Sequence, residues 1–175
     1  MLGAVLAGGR GMRFGGDKAL AELGGRTLLT RAVETLAQWC DLVIVVGRDE
    51  APVPTVPDWP APGLGPLGGI AAALRHAEQT GFDTVLTCGV DSVGLPADLP
   101  RLLSPAPACL ASQPVIGLWP AAAAAAVVGI LAGEGRHSMY ALAQAIGARS
   151  VGLASDPANI NTPADLERAR SADLT

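Results

Sequence analysis

The residues best suited to chemistry lie in a glycine-rich stretch near the N-terminus, LAGGRGMRFGGDKAL, which runs from Leu6 to Leu20. Its glycines let backbone N–H groups point into a crevice and cradle an anion. Arg13 supplies a planar fork for phosphate oxygens, and Lys18 supplies a compact positive charge. The stretch therefore predicts a site that wraps a triphosphate and stabilises a departing pyrophosphate, although a surface loop with solvated charges has the same composition.

Two well-known phosphate-binding templates do not match this stretch. A P-loop requires a hydroxyl residue after its lysine, whereas Ala19 follows Lys18 here. The dinucleotide fingerprint G-x-G-x-x-G fails at Phe14. The long loop that extends from Gly8 to Arg26 thus indicates a different kind of phosphate site.

A carboxylate forms the second candidate feature. The segment VLTCGVDSVGLP places Asp91 directly after a strand-like run, where one carboxylate can hold Mg²⁺ against nucleotide phosphates. Asp91 could equally cap a helix that begins within LPADLPRLL. Together with the glycine-rich stretch, Asp91 favours phosphoryl or nucleotidyl transfer.

The elements that must position these residues alternate along the chain. Buried strands are predicted over residues 2–7, 41–47 and 83–89, and helices over 27–38 and 68–80. This order predicts an α/β fold of three layers with a mostly parallel central sheet and right-handed crossovers. We expect residues 1–175 to form a single domain.

Three further segments complete the expected architecture. The proline- and glycine-rich residues 51–69, which include Asp58 and Trp59, predict a loop at the site. Residues 108–112 and 115–119 predict a short antiparallel hairpin. A final helix is expected to begin at Pro163, with Thr162 as the N-cap and Asp165 as the acid of a capping box.

Composition narrows the class of protein. The net charge is −4 with no run of like charges, which argues against nucleic acid or a membrane surface as a partner. Three widely spaced cysteines indicate neither disulfides nor a zinc site and suit the reduced cytoplasm. Residues 114–133 carry no charge and are long enough to span a membrane, but Pro120 favours a strand followed by a helix. His76 and His137 are expected to be surface residues.

Four motifs occur in a characteristic order: LAGGRGMRFGGDKAL, then GPLGGI at 65–70, then Asp91, then NINTPADL at 159–166. In this combination the chain resembles the molybdenum cofactor guanylyltransferases, the MobA-like nucleotidyltransferases. The resemblance implies a Rossmann-like nucleotidyltransferase fold and a cytoplasmic enzyme. It also implies transfer of GMP from Mg-GTP to the terminal phosphate of molybdopterin, with release of pyrophosphate, and contact with other proteins of molybdenum cofactor biosynthesis.

The same resemblance implies roles for individual residues. Leu6, Ala7, Gly8 and Gly9 would bind GTP, with the first three at the guanosine. Lys18 would contact the triphosphate, Asp58 the nucleotide and Asp91 the magnesium ion. Arg13, Lys18 and Asp91 would be catalytic, and Asn159 and Asn161 would line the molybdopterin side.

The chain departs from the family pattern at three places, and alternatives stay open. Val45 and Gly47 lie where an asparagine is common, and Val93 replaces a proline after the metal-binding aspartate. The hairpin between residues 109 and 119 is shorter than the charged loop of the family, which bears on contacts to the pterin or a partner protein. A CTP-dependent molybdopterin cytidylyltransferase is one alternative, although Gly8 in place of alanine leaves more room for a purine. A nucleotide-sugar synthase is a second, for which the chain is short. A catalytically impaired nucleotide-binding accessory protein is a third.

Overall fold

The central feature of the fold is a seven-stranded sheet with the strand order β10-β8-β9-β6-β1-β4-β5. We describe it from a computed structural model that covers residues 1–8 and 14–173. The strands are β1 (Leu2–Leu6), β2 (Glu22–Leu23), β3 (Arg26–Thr27), β4 (Leu42–Val46), β5 (Thr55–Val56), β6 (Thr84–Gly89), β7 (Ser92–Val93), β8 (Ala108–Leu110), β9 (Gly117–Pro120), β10 (Arg149–Val151) and β11 (Ala158–Asn159). The α-helices are α1 (Leu28–Ala37), α2 (Gly65–Thr80), α3 (Leu99–Leu103), α4 (Ala124–Ala132), α5 (Met139–Ala145) and α6 (Pro163–Asp173).

The middle of the sheet is parallel and its strands end level with one another. Strand β1 pairs in parallel with β4 on one side and β6 on the other. Leu6, the last residue of β1, lies opposite both Val46 and Gly89. Only β9 runs antiparallel within the sheet, against β6 and β8. The mostly parallel α/β prediction is confirmed, and the three carboxyl ends form one rim.

Two apolar cores, one on each face of the sheet, make the three layers. Alternate residues of β1 point to opposite sides, so Val5 joins the core that α1 covers and Ala4 joins the core beneath α2 and α4. Residues buried on both faces explain why the central strands read as continuous apolar runs instead of alternating ones.

The start of α2 differs from the prediction, whereas its end at Thr80 is confirmed. The helix begins at Gly65, three residues before the expected 68, and it is capped after Thr80 by Gly81 in a left-handed conformation with φ of 80°. Pro66 fits the first turn because its missing N–H has no helical partner there. Residues 51–69 are therefore not one loop, since they contain both β5 and the first turn of α2.

The uncharged residues 114–133 form β9, a short 3₁₀ turn at Ala121–Ala123 and α4. The strand ends at Pro120 and helical structure follows it, as predicted. The hairpin β8–β9 is confirmed, although its connection is longer than the expected two residues. Within the described ranges 1–8 and 14–173, every helix is too short or too polar to cross a membrane.

A buried polar network fixes the hairpin against β6. Trp119 is fully buried and its Nε1 donates to Thr87 Oγ1 at 2.8 Å. The Thr87 hydroxyl in turn donates to the Val115 carbonyl at 2.6 Å. Every polar atom of this network has a partner, so burial of the network does not leave an unpaired group.

The final helix begins where the sequence predicted. Thr162 Oγ1 accepts from the Asp165 N–H at 3.2 Å, and Asp165 Oδ2 accepts from the Thr162 N–H at 2.7 Å. This reciprocal pair is a capping box. It confirms Thr162 and Asp165 as the start signals of α6.

Candidate active site

A pocket of about 290 Å³ opens at the rim formed by the carboxyl ends of β1, β4 and β6. Open α/β sheets bind their ligands at this position. The predicted site residues that line the pocket are Leu6, Ala7, Gly8, Lys18, Asp58, Asp91 and Asn159. The fold thus brings seven predicted residues to one cavity from five separate parts of the chain.

Lys18 and Asp91 form an ion pair at the wall of this pocket. Lys18 lies on a 3₁₀ turn at Lys18–Leu20, and its Nζ donates to Asp91 Oδ2 at 2.6 Å. A weaker contact of 3.4 Å joins Nζ to Asn161 Oδ1. The alternative role of Asp91 as a helix cap is wrong, because α3 begins only at Leu99.

The two-stranded ribbon formed by β7 and β11 places Asn159 close to Asp91. Strand β11 pairs antiparallel with β7 so that Asn159 lies opposite Ser92. The N–H of Ile160 donates to the Asp91 carbonyl at 3.0 Å. Val93, which departs from the family pattern, is the ribbon residue opposite Ala158. The departure therefore leaves the backbone beside Asp91 in a regular strand pair.

Gln113 supports this ribbon and was not predicted. Its side-chain amide donates to the Pro157 carbonyl at 2.6 Å, and its Oε1 accepts from the Ser92 hydroxyl at 3.3 Å. The residue lies in the connection between β8 and β9, far from both partners in sequence. No local pattern marks such a long-range amide.

The carboxylate of Asp58 lies against glycine backbone. A Cβ added to Gly8 would be 3.1 Å from Asp58 Oδ2, and one added to Gly47 would be 2.6 Å from the Gly8 Cα. Gly47 also has a φ of 84°, which other residues rarely adopt. Close contact between the ends of β1 and β4 thus explains why a glycine stands at position 47.

Burial raises the pKa of Asp58, and a backbone hydrogen bond from Gly63 partly offsets that effect. Desolvation disfavours the charged carboxylate, whereas an N–H donor favours it. An ionised Asp58 is an acceptor only, so it suits ligand N–H or O–H donors.

The N-terminus of α2 also opens on the pocket through Gly65, Pro66 and Gly69. Its N-cap residue, Leu64, makes no side-chain hydrogen bond to the first turn. Unsatisfied N–H groups at a helix N-terminus carry partial positive charge and favour acceptor atoms of a ligand.

Asp17 and Arg48 form an ion pair at the edge of the pocket. Both guanidinium Nη atoms donate to the carboxylate, at 2.9 Å and 2.7 Å. Arg48 holds the pKa of Asp17 below its ordinary value. Asp17 directly precedes Lys18 in the sequence, but the role of Arg48 was not predicted because its partner is thirty-one residues away.

The remaining predicted residues fall elsewhere. Gly9 and Arg13 lie outside the described residues, so their roles stay predictions. His76 lies on α2 and His137 Nε2 contacts the Gly133 carbonyl, and neither lines the pocket. Trp59 stacks beneath the guanidinium of Arg75, 4.8 Å from the ring centroid.

A family model described as the MobA-like NTP transferase domain matches residues 3–155. The chain belongs to this family. The match includes β1 from its second residue onward, the 3₁₀ turn with Lys18, and Asp91, whereas Asn159 and Asn161 lie beyond its end.

Relatives of this MobA-like chain have similar lengths. It is 39% identical to a molybdenum cofactor guanylyltransferase of Acidiphilium cryptum, over 95% of this chain and 92% of that protein. It is 37% identical to a protein of the same name from Cereibacter sphaeroides, over 98% and 96% of the two chains.

Solved structures share the fold of the MobA-like chain. Molybdopterin-guanine dinucleotide biosynthesis protein A of Archaeoglobus fulgidus superposes with a TM-score of 0.78 at 21% identity, covering 99% of both chains. A 4-diphosphocytidyl-2C-methyl-D-erythritol synthase of Anaerococcus prevotii reaches 0.73 at 12% identity, covering 99% of this chain and 96% of that one. Proteins named for guanine and for cytidine chemistry therefore share this architecture.

The donor set of the MobA-like pocket suits Mg²⁺ held jointly with a ligand. Across residues 1–8 and 14–173, no three His, Cys, Asp or Glu side chains are grouped as a metal cage. Mg²⁺ commonly binds through one or two carboxylates together with substrate phosphates. Asp91, with a side chain only 21% exposed at the pocket wall, supplies such a carboxylate.

Proposed function

We propose that this MobA-like protein transfers GMP from GTP to the terminal phosphate of molybdopterin and releases pyrophosphate. The observation that carries the proposal is the convergence of Gly8, Lys18, Asp58, Asp91 and Asn159 on one pocket at the sheet rim. The names of the relatives from Acidiphilium cryptum and Cereibacter sphaeroides support the same reaction.

The nucleoside is proposed to lie at the β1 side of the pocket. Leu6, Ala7 and Gly8 would contact the guanosine at the carboxyl end of β1. The Asp58 carboxylate, next to Gly8, would accept hydrogen bonds from N–H or hydroxyl groups of the nucleotide. The first turn of α2 would offer N–H donors to its acceptor atoms.

The triphosphate is proposed to lie at the Lys18 side. Lys18 would exchange its contact with Asp91 for phosphate oxygens, and Arg13 would add a second cation. Asp91 and the phosphates would hold Mg²⁺, which neutralises phosphate charge and favours departure of pyrophosphate when bound. In the free protein the charges of Lys18 and Asp91 balance each other. The triphosphate, next to Lys18, and Mg²⁺, next to Asp91, would therefore enter this part of the pocket together.

The chemistry needs little acid–base help from the protein. An oxygen of the molybdopterin phosphate would form a bond to the α-phosphorus of GTP, and the bond from that phosphorus to the pyrophosphate oxygen would break. The attacking oxygen is already anionic, so no strong general base is required. Catalysis then rests on alignment and charge neutralisation, with Asn159 and Asn161 orienting the acceptor.

The base that we propose is guanine, and the space beside Gly8 is the feature of the pocket that bears on it. Asp58 Oδ2 and the Gly47 Cα occupy the space around a Cβ at Gly8, so the missing methyl serves contacts within the protein as well as a purine. The preference for GTP therefore depends on the relatives' names more than on that space. CTP-dependent transfer and nucleotide binding without turnover are the outcomes to be tested against it.

Calorimetric titration of the purified protein with GTP, CTP and ATP, with and without Mg²⁺, tests the nucleotide. With Mg²⁺ present, we expect GTP to bind more tightly than CTP or ATP. Without Mg²⁺, we expect GTP to bind only weakly. Single-turnover assays with molybdopterin then test transfer. Preference for CTP would establish the cytidylyl reaction, and GTP binding without product would establish the accessory role.

We further propose a cytoplasmic setting and transient contact with other proteins of molybdenum cofactor biosynthesis. The three cysteines support a reducing compartment because all are free thiols, with Cys88 and Cys109 buried. Burial raises the pKa of Cys88 to about 12, so the thiol stays protonated and unreactive.

A further inference from the structure

We infer that Arg48 is a positioning residue for the phosphate site, acting through Asp17 on Lys18. The inference rests on the proposed function only in taking a triphosphate as the ligand. Arg48 follows Gly47 at the end of β4, and its side chain is 18% exposed. It reaches from one strand end to the turn that follows β1 in the chain.

The first observation is the geometry of the pair. Nη1 and Nη2 of Arg48 donate to the two separate oxygens of Asp17 at 2.9 Å and 2.7 Å. This bidentate arrangement fixes the carboxylate in orientation as well as in place. A lysine at position 48 could not reproduce the two-point contact.

The second observation is what Asp17 does with the same carboxylate. Its Oδ1 accepts from the Ala19 N–H at 3.1 Å, which caps the 3₁₀ turn that carries Lys18. Ala19 is 2% exposed and anchors the turn in the core. Arg48 therefore holds the start of the turn, and the core holds its middle, so the backbone of Lys18 lies between two fixed points.

The third observation is electrostatic. Asp17 lines the pocket with Asp58 and Asp91, whereas Lys18 is the one lining cation among the described residues. An unpaired Asp17 would repel phosphate oxygens and would compete with them for the ammonium of its neighbour Lys18. The ion pair with Arg48 cancels this charge, so that Lys18 faces Asp91 and the ligand.

The test is a double-mutant cycle on nucleotide affinity. R48M removes the guanidinium but keeps an apolar stem, and D17N removes the carboxylate charge but keeps an oxygen for the Ala19 N–H. We expect R48M to weaken GTP binding about tenfold while changing GMP binding less than about twofold. D17N/R48M is expected to recover most of the loss, because the unpaired charge is then gone while the remaining oxygen at position 17 still caps the turn at the Ala19 N–H.

R101M provides the matched control, since it breaks an exposed ion pair with Asp98 that does not line the pocket. K18M gives the reference for complete loss of the ammonium. Unchanged GTP affinity in R48M would overturn the inference. A double variant as weak as R48M would also overturn it, because Arg48 would then touch the ligand itself.

Tripolyphosphate, used as a second probe with Mg²⁺, separates this inference from the proposed function. If the wild-type protein binds tripolyphosphate but not GTP, the guanylyl reaction is wrong and the cycle still decides the role of Arg48. The same pattern of loss in R48M and recovery in D17N/R48M supports the inference. Binding of neither ligand would overturn both proposals.

Discussion

At the scale of residues, the three carboxylates that line the pocket differ in the partners that stabilise their charge. Asp91 has a cationic partner at 2.6 Å in Lys18, and Asp17 has one in Arg48. For Asp58, the partner among residues 1–8 and 14–173 that offsets its burial is the backbone N–H of Gly63. The first two carboxylates are thus matched by cations, whereas burial raises the pKa of Asp58.

Asp91→Asn is expected to lower Mg²⁺-dependent turnover at least about a hundredfold while the protein stays folded, because the amide lacks the negative charge that we propose to hold the metal. Turnover and thermal unfolding should be measured in parallel. Asp98→Asn, on an exposed ion pair at the start of α3, should leave turnover unchanged. Retention of full activity in Asp91→Asn would remove this residue from the metal site.

Asp58→Asn is expected to stabilise the free protein at pH 7 and to weaken GTP binding. Burial raises the folded-state pKa of Asp58, so ionisation at neutral pH destabilises the folded state relative to the unfolded state. The gain in unfolding free energy should shrink as pH falls through that raised pKa, since the wild-type carboxyl then becomes neutral as well.

Urea denaturation across this pH range, with Glu78→Gln as an exposed control on α2, measures the Asp58 effect. A destabilised Asp58→Asn protein at pH 7 would contradict the prediction. Tighter GTP binding in that variant would contradict the proposed contact with the nucleotide.

At the scale of elements, the site depends on short strands that have no stability of their own. The ribbon β7–β11 places Asn159 beside Asp91, and Gln113 from the β8–β9 connection holds it. That connection is fixed in turn through Val115 by Thr87 on β6. Isolated two-stranded pairs are marginal in water, so the central sheet supports this side of the pocket.

Thr87→Val is expected to lower the free energy of unfolding by about 2 kcal/mol, since the isosteric side chain leaves Trp119 Nε1 and the Val115 carbonyl unpaired. Chemical denaturation gives the difference. Thr84→Val, on the same strand and without a side-chain hydrogen bond among the described residues, should change stability by less than about 0.5 kcal/mol. Equal losses in the two variants would show that the network contributes nothing specific.

Sequence patterns predicted the elements whose signals are local. The buried strands, the capping box at Thr162 and the level strand ends that bring Gly8 and Asp91 to one rim are such cases. The patterns could not show the ion pair of Arg48 or the amide of Gln113, because partners distant in sequence leave no periodic trace. They also placed the start of α2 too late, since its glycines and proline read as loop.

At the scale of the whole molecule, residues 158–173 contribute both to the core and to the pocket. Ile160 and Leu166 are buried in the same core as α1, although both follow the residues that the family model matches. Arg170 Nη2 donates to the Glu22 carbonyl at 2.9 Å, which ties α6 to β2. These contacts support the prediction of one domain over residues 1–175.

Leu166→Ala is expected to destabilise the protein by about 3 kcal/mol through a cavity beneath α6. Denaturation should still show a single transition if α6 belongs to the one cooperative unit. Leu20→Ala is the matched control, because this leucine is 56% exposed and its truncation should cost less than about 0.5 kcal/mol. A small loss at Leu166, or a separate early transition, would contradict the single-domain prediction.

The late position of β11 has a consequence for biogenesis. During translation, β1, Lys18 and Asp91 emerge from the ribosome well before Asn159 and Ile160. The N–H of Ile160 donates to the Asp91 carbonyl and so joins the ribbon to Asp91. Domains fold as units, so the nascent polypeptide cannot assemble the proposed acceptor side until residues 158–160 have left the ribosome. A product shortened by premature termination would therefore keep the glycine-rich stretch and Asp91 but lack the strand that closes the pocket beside them.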